Sequence, residues 1–373
     1  MMTRRRFPWS WLLWAVVIVA VLLAPSVLPV FRLNLLGRYL ALAIVALGID
    51  LIWGFTGLLS LGQGIFFALG GYAAAMFLQL GSASDAAHGL PEFFSLYGVD
   101  QLPLFWEPFR SPLFTLIAIA LIPALVAAGL GYLVFRNRIK GVYFSILTQA
   151  ALLVFFNFFN GQQKLINGTN GLKTDVTMLF GQMVGSEGMQ RGFFWLTAAL
   201  VIVSWLFVRW LVRGRFGDVL IAIRDDESRL RFTGYNPTQF KTIVFALAGA
   251  LAGVSGALYT VQSGIVSPQY MTVPFSIEMV IWVAVGGRGT LLGAVLGAVL
   301  INYAKSLVSE AIPESWMFIQ GGLFILVVTV LPQGLLGWWR SDGPRNLLLR
   351  LGVPRRLATY PRLELDGDEE VQP

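Results

Sequence analysis

The chain alternates long apolar runs with short polar breaks, and the runs carry too few polar positions for the one-sided helices of a soluble domain. A membrane-spanning helix needs about 20 apolar residues, and cutting the sequence at its charges, glycines and prolines leaves stretches of that order. Trp11–Val30 reads as a first span, retained rather than removed because no small-residue cleavage pattern follows it. Tyr39–Gly54, Ile65–Leu80, Pro112–Phe135, Val142–Asn160, Phe193–Leu211 and Thr242–Ser263 follow. Two shorter apolar stretches, Ser276–Val285 and Leu291–Tyr303, precede a last run, Met317–Leu331. The pattern predicts an all-α, polytopic integral membrane helix bundle of about ten spans, with the two short stretches forming either two helices or one re-entrant hairpin.

Composition agrees with this class. Apolar residues make up 56% of the chain and charged residues 13%, against roughly 25% charged in soluble domains. The mean hydropathy is +0.71. The net charge of +7 is accounted for by basic cytoplasmic loops rather than by a nucleic-acid partner. With no cysteine and a single histidine, His88, in a polar loop, the chain offers no disulfide, thiolate metal site, cysteine nucleophile or histidine cluster, so neither a metal site nor a catalytic residue is expected.

Lys and Arg set the orientation. Arg4, Arg5 and Arg6 precede the first span, Arg136, Arg138 and Lys140 occupy a tight turn, and Arg209 to Lys241 brackets a long charged segment. All are expected in the cytoplasm. So are both termini: residues 1–10, and a tail, 336–373, that ends in an acidic run. Between them, 11–335 is the transmembrane domain, with 213–240 as its long cytoplasmic segment. The loops Ser82–Ser111 and Gly161–Arg191 then fall outside.

Three functional classes fit such a bundle: a transport subunit, a passive channel and an intramembrane enzyme. The sequence has no His-Glu-x-x-His, no Gly-x-Ser-x-Gly turn and no paired carboxylates at helical spacing. Gly168–Thr174 lacks the spacing of a nucleotide-binding loop and lies on the expected outer side. No cofactor is therefore expected on this chain, and an energy source must lie in another chain or in a gradient.

Glycine supplies the positive signal. Gly54 to Gly64 interrupts the second and third spans, and Gly286 to Gly293 separates the two short stretches. Transporters place solute sites where helices are broken in corresponding positions of two halves, although close helix packing also needs small residues. Asp50 and Glu278 are carboxylates inside apolar stretches, where a charge is costly unless it faces water or a partner. The candidate path residues are accordingly Asp50, Gly57, Ser60, Gln63, Gln149, Glu278 and Gly287.

The segments Ala-Leu-Gly-Ile-Asp-Leu-Ile-Trp-Gly-Phe-Thr-Gly-Leu-Leu-Ser-Leu-Gly-Gln-Gly (46–64), Gly-Thr-Asn-Gly-Leu (168–172), Ala-Ile-Arg-Asp-Asp-Glu through Gly-Tyr-Asn-Pro (222–237) and Gly-Gly-Arg-Gly-Thr-Leu-Leu-Gly (286–293) resemble the permease subunits of branched-chain amino acid ABC importers. Gly-Leu-Pro-Glu-Phe-Phe in the first outer loop and Gly-Val-Tyr-Phe-Ser-Ile-Leu-Thr-Gln-Ala (141–150) look closest to the urea-transport branch of that family. The resemblance implies a permease subunit in a bacterial inner membrane. Its expected partners are a second, homologous permease, two cytoplasmic ATPase subunits that hold ATP and magnesium, an extracytoplasmic solute-binding protein and the surrounding lipid. Urea is the solute this implies first, with a branched-chain amino acid or a passive channel as alternatives.

The charged segment reads as a short helix from Gly217 to Phe232, a stop at Gly234, and a fresh start at Asn236-Pro237-Thr238-Gln239 with an N-cap, a first-position proline and a capping-box partner. Val219, Ile223, Leu230 and Phe232 mark its apolar side. In the family such a helix docks on the ATPase, which implies coupling roles for Ile223, Arg224, Asp226, Glu227, Leu230 and Gly234, with Ile223, Leu230 and Gly234 as the gripped edge. The chain departs from the Glu-Ala-Ala form of the family's motif, having Ser228-Arg229-Leu230 instead.

Overall fold

The computed structural model describes residues 24–83, 89–312, 316–330 and 334–340. All but the end of the expected first span, His88, and the tail from 341 onward lie outside the described residues.

Among the described residues, seven helices are long and apolar enough to cross a membrane. They are α1 (Val30–Thr56), α2 (Gln63–Ser82), α3 (Pro112–Arg136), α4 (Val142–Gly161), α5 (Glu187–Arg213), α7 (Pro237–Ser263) and α9 (Leu291–Ala311). The charged segment is helix α6 (Arg215–Phe232). Shorter helices include α8 (Val273–Gly286), α10 (Trp316–Val330) and α11 (Gly334–Arg340), besides single turns in the polar loops at Glu92–Leu96 and Gln163–Ile166. The two short stretches of the sequence thus part company. Leu291–Tyr303 extends to Ala311 as a full-length helix, whereas α8 has 14 residues, about 21 Å of helix against a hydrocarbon core of about 30 Å.

Helices α1, α2 and α7 form the buried centre, with α3, α4 and α5 exposing most of their apolar surface around them. Small residues set the central spacing: a side chain at Gly70 would overlap the Gly253 carbonyl, and one at Gly256 would overlap that of Phe67. Van der Waals contact between backbones is a main source of helix cohesion in lipid, where hydrophobic burial supplies little. Pro123 sits inside α3 and removes the donor that the Ile119 carbonyl would otherwise receive. That carbonyl lies against Gly253 of α7, so the break is covered by a neighbouring helix rather than by lipid.

The two long polar loops gather at one end of the bundle. Trp106 donates its indole N–H to the Leu165 carbonyl at 3.1 Å, and Leu172–Lys173 pairs antiparallel with Ile265–Val266 just beyond α7. The turn bearing Lys140, helix α6 and the C-terminal end of α1 meet at the other end.

Candidate functional site

Helix α6 is not one continuous helix. The chain leaves helical geometry at Asp226 (φ −155°, ψ 95°), and the Asp226 carboxylate accepts hydrogen bonds from the Ser228 N–H at 3.0 Å, the Ser228 hydroxyl at 2.5 Å and the Arg229 N–H at 3.1 Å. Asp226 therefore caps a second short helical segment. Its carboxyl is held below the ordinary value, first by the Ser228 hydroxyl and then by the Arg229 N–H.

The inward side of α6 carries Leu220, Ile223, Glu227 and Leu230. Ile223 is 5% exposed and Leu230 8%, so the apolar edge expected to face an ATPase is packed into the chain's own core. The physical reason is ordinary amphipathicity: beside an apolar bundle, the apolar stripe turns to the bundle. Among the residues that remain open to a partner are Arg224, Asp225, Ser228, Arg229, Phe232 and Gly234, with Phe232 92% exposed. Gly234 ends the element with φ +88° and no heavy atom near a would-be side chain. Asn236 caps α7 by accepting from Thr238 N–H at 3.1 Å, with Pro237 in the first turn.

Glu227 is the anchor of α6. Its carboxylate receives Arg231 at 2.8 Å, Lys241 at 3.1 Å and Lys140 at 3.2 Å. These cations come from α6 itself, from α7 and from the turn between α3 and α4. Lys241 is fully enclosed, its side chain 1% exposed, and its ammonium lies 5.0 Å from the Phe135 ring centroid. Burial pushes the Glu227 carboxyl up, but the Arg231 hydrogen bond and the Lys241 charge outweigh it and hold the group below its ordinary value.

A second attachment leads from α6 to the glycine breaks. Arg224 donates to the Gly54 carbonyl at 3.1 Å, and its stem lies against Gly57, which has φ +73°. One turn earlier on α1, Asp50 accepts the Gly289 N–H at 2.5 Å. A side chain at Gly54 would stand 2.5 Å from the Gly289 nitrogen, so the backbone segments 54–57 and 287–289 are in direct contact. Arg288 rests 5.8 Å from the Trp53 ring centroid. The two glycine breaks, more than 200 residues apart in sequence, are thus one structure, and Gly287 is covered in turn by Gly334 at the start of α11.

The remaining candidates divide. Glu278 is engaged by Lys305 of α9, whose ammonium lies 2.8 Å from both carboxylate oxygens. Ser60 is buried, and its hydroxyl accepts the Gly62 N–H at 3.3 Å. Gln63 is buried at the start of α2, and neither end of its amide has a hydrogen-bond partner. Gln149 is half-buried on α4, apart from these contacts. Sequence reasoning missed Lys305, and it also missed Ser145 and Thr148. Ser145 donates to the Leu59 carbonyl at 2.6 Å, and Thr148 accepts the Leu61 N–H at 3.1 Å. These bonds satisfy the non-helical backbone of the break at membrane depth. The available signal was two hydroxyl residues spaced three apart in an apolar run. Among the described residues no group of three or more His, Cys, Asp or Glu side chains is placed to hold a metal ion.

Long apolar helices, helices broken at glycine and a charged helix tied to those breaks make a polytopic membrane bundle. Comparison with known proteins gives the family. The model of the branched-chain amino acid transport system / permease component matches residues 31–328, and the chain belongs to that family, as a multi-pass inner-membrane transport subunit. It is 28% identical over 322 residues to the high-affinity branched-chain amino acid transport system permease protein LivM of Salmonella typhimurium, covering 80% of this chain and 68% of that one. It is 22% identical over 315 residues to BraD of Pseudomonas aeruginosa, a permease protein of the same kind of system, covering 79% and 91%. It is also 22% identical over 326 residues to a probable branched-chain amino acid transport permease protein LivM of Methanocaldococcus jannaschii, covering 79% and 89%. No solved structure matches the chain.

Proposed function

We propose that this chain is the membrane-spanning subunit of an ATP-driven importer that carries a small α-amino acid with an aliphatic side chain into the cell. The anchoring of α6 is the observation that supports it: a charged helix held by Glu227 and joined through Arg224 to the glycine breaks has the form of a force-receiving element. In this reading the end bearing α6 is cytoplasmic, and the loops at the opposite end meet a solute-binding protein. A second permease and two ATPase subunits complete the assembly. The amino acid reading takes precedence over urea because the relatives above carry branched-chain amino acid names. Proteoliposomes holding the permease pair and the ATPases with α6 facing the lumen, supplied with the binding protein outside, are expected to accumulate labelled leucine only with ATP enclosed. Accumulation of urea and not leucine overturns the substrate; uptake without ATP overturns the importer.

A further inference from the structure

Helices α2 and α8 both begin in the middle of the bundle, and their first turns touch. A methyl group on Gly64, the second residue of α2, would stand 3.0 Å from the Ser276 hydroxyl in the first turns of α8 and 3.2 Å from a methyl of Leu152. Leu152 lies halfway along the 20-residue helix α4, which sets the depth of the meeting point. Neither helix start has a side-chain cap, and the first N–H groups of a helix carry partial positive charge and open donor capacity. Two buried polar residues belong to these first turns: Gln63 directly precedes Gly64, and Ser276 meets it. Gln63 and Ser276 are each 1% exposed, and the Gln63 amide nitrogen and oxygen and the Ser276 hydroxyl have no hydrogen-bond partner. Each unpaired buried polar group is costly, and three such atoms around one contact between helix starts point to a ligand that completes them.

An apolar wall adjoins. The Tyr270 carbonyl lies against Gly64, and the Tyr270, Phe67 and Phe275 rings are mutual neighbours at 5.6, 5.3 and 5.4 Å between centroids. We infer that the meeting point of Gly64 and Ser276, with Gln63 beside it, is a solute subsite that takes the carboxylate of an α-amino acid between the first turns of α2 and α8. The Tyr270 carbonyl is the acceptor at hand for the ammonium, and Phe67, Tyr270 and Phe275 receive the aliphatic side chain. Helix starts favour an anion; an uncharged diamide such as urea gains hydrogen bonds from them but not the stabilisation of a full negative charge. The inference rests on the amino acid reading above and goes further by locating the site.

The test uses the full importer in proteoliposomes with ATP and the binding protein, with labelled leucine and labelled urea as probes. Gln63→Leu keeps the volume and removes both unpaired groups; Ser276→Ala removes the hydroxyl, and Ser276→Thr keeps it. The subsite predicts that Gln63→Leu and Ser276→Ala each lower leucine uptake about tenfold or more, the size of a lost hydrogen bond to a charged group. Ser276→Thr, which keeps the hydroxyl, restores transport. A purely packing role for Gln63 makes the opposite prediction, higher thermal stability of Gln63→Leu with unchanged uptake, and that result overturns the subsite while leaving leucine import intact. Urea import by the wild type in place of leucine refutes the amino acid reading itself, and is separable because it appears without any substitution.

Discussion

Removing the Glu227 charge tests whether α6 is an anchored lever or a solvated loop. Three cations meet this carboxylate, and their exposure ranks them. Lys140 has a side chain 52% exposed, so its pairing is worth about 0–1 kcal/mol. Arg231, 32% exposed, shares the same short helix and adds little to its attachment. Lys241 is 1% exposed, and breaking a buried pair by removing one partner costs about 3–5 kcal/mol, because the other charge is left enclosed. Glu227→Gln is therefore expected to weaken the seating of α6 by about 3 kcal/mol, a shift of about a hundredfold in its docking equilibrium. In proteoliposomes this appears as leucine uptake falling far more than ATP hydrolysis. The double variant Glu227→Gln, Lys241→Met is expected to recover much of the loss, since an enclosed pair replaced by neutral groups of similar size is often near neutral. Acidity supplies a second check. Glu227 is held below its ordinary value of 4.5, so the stability it contributes is present above that pH and drains away as pH falls through the lower, folded-state value. The Gln variant lacks this acid-sensitive component. Uptake and hydrolysis unchanged in Glu227→Gln, together with no coupling to Lys241 in the double-variant cycle, refute the anchor.

Asp50→Asn keeps an oxygen for the Gly289 N–H and is expected to retain uptake, whereas Asp50→Leu loses that bond and leaves a buried donor, at about 1–3 kcal/mol; failure of the Asn variant in an uptake assay assigns the charge itself to transport. Lys305→Met strands Glu278, whose side chain is 12% exposed, and is expected to lower the melting temperature of the purified complex, with Glu278→Gln in the same chain restoring it. Gly70→Ala drives a methyl into the Gly253 carbonyl and is expected to abolish the folded protein on a detergent size-exclusion profile, while Gly129→Ala, where nothing lies within 4 Å, leaves it intact.

Much of the helix layout was legible because apolar length is a direct physical requirement of crossing lipid. The central expected spans correspond to α1, α2, α3, α4, α5 and α7, with ends displaced most at the starts of α1, Val30 against Tyr39, and α5, Glu187 against Phe193. The extension of Leu291–Tyr303 to Ala311 was hidden by Lys305 and Glu310, charges that look like an ending until their partners are known: Glu278 for one, Arg32 for the other. The meeting of the glycine breaks was legible only as a correspondence between two distant segments; that Asp50 bonds Gly289 depends on tertiary packing that no local pattern carries. On α6 the apolar face was visible, but its direction was not, because the same stripe serves a partner subunit or the chain's own core. Glu227 was expected among the residues coupling α6 to an ATPase, with no sign of its partners within the chain. Only the fold places Lys140 and Lys241 beside it.

Helix α7 is fastened at both extremities: Lys241 holds it to Glu227 at one end, and the pairing of Ile265–Val266 with Leu172–Lys173 holds it at the other. Its 27 residues make a rod of about 40 Å, passing through the buried centre. A rod pinned at both ends behaves as a rocker: tilting it by about 5° about one pin carries the other by about 3.5 Å, more than one hydrogen-bond length. Pressure on the Leu172 loop at one end and the set of charges around Glu227 at the other are then two readings of the same angle.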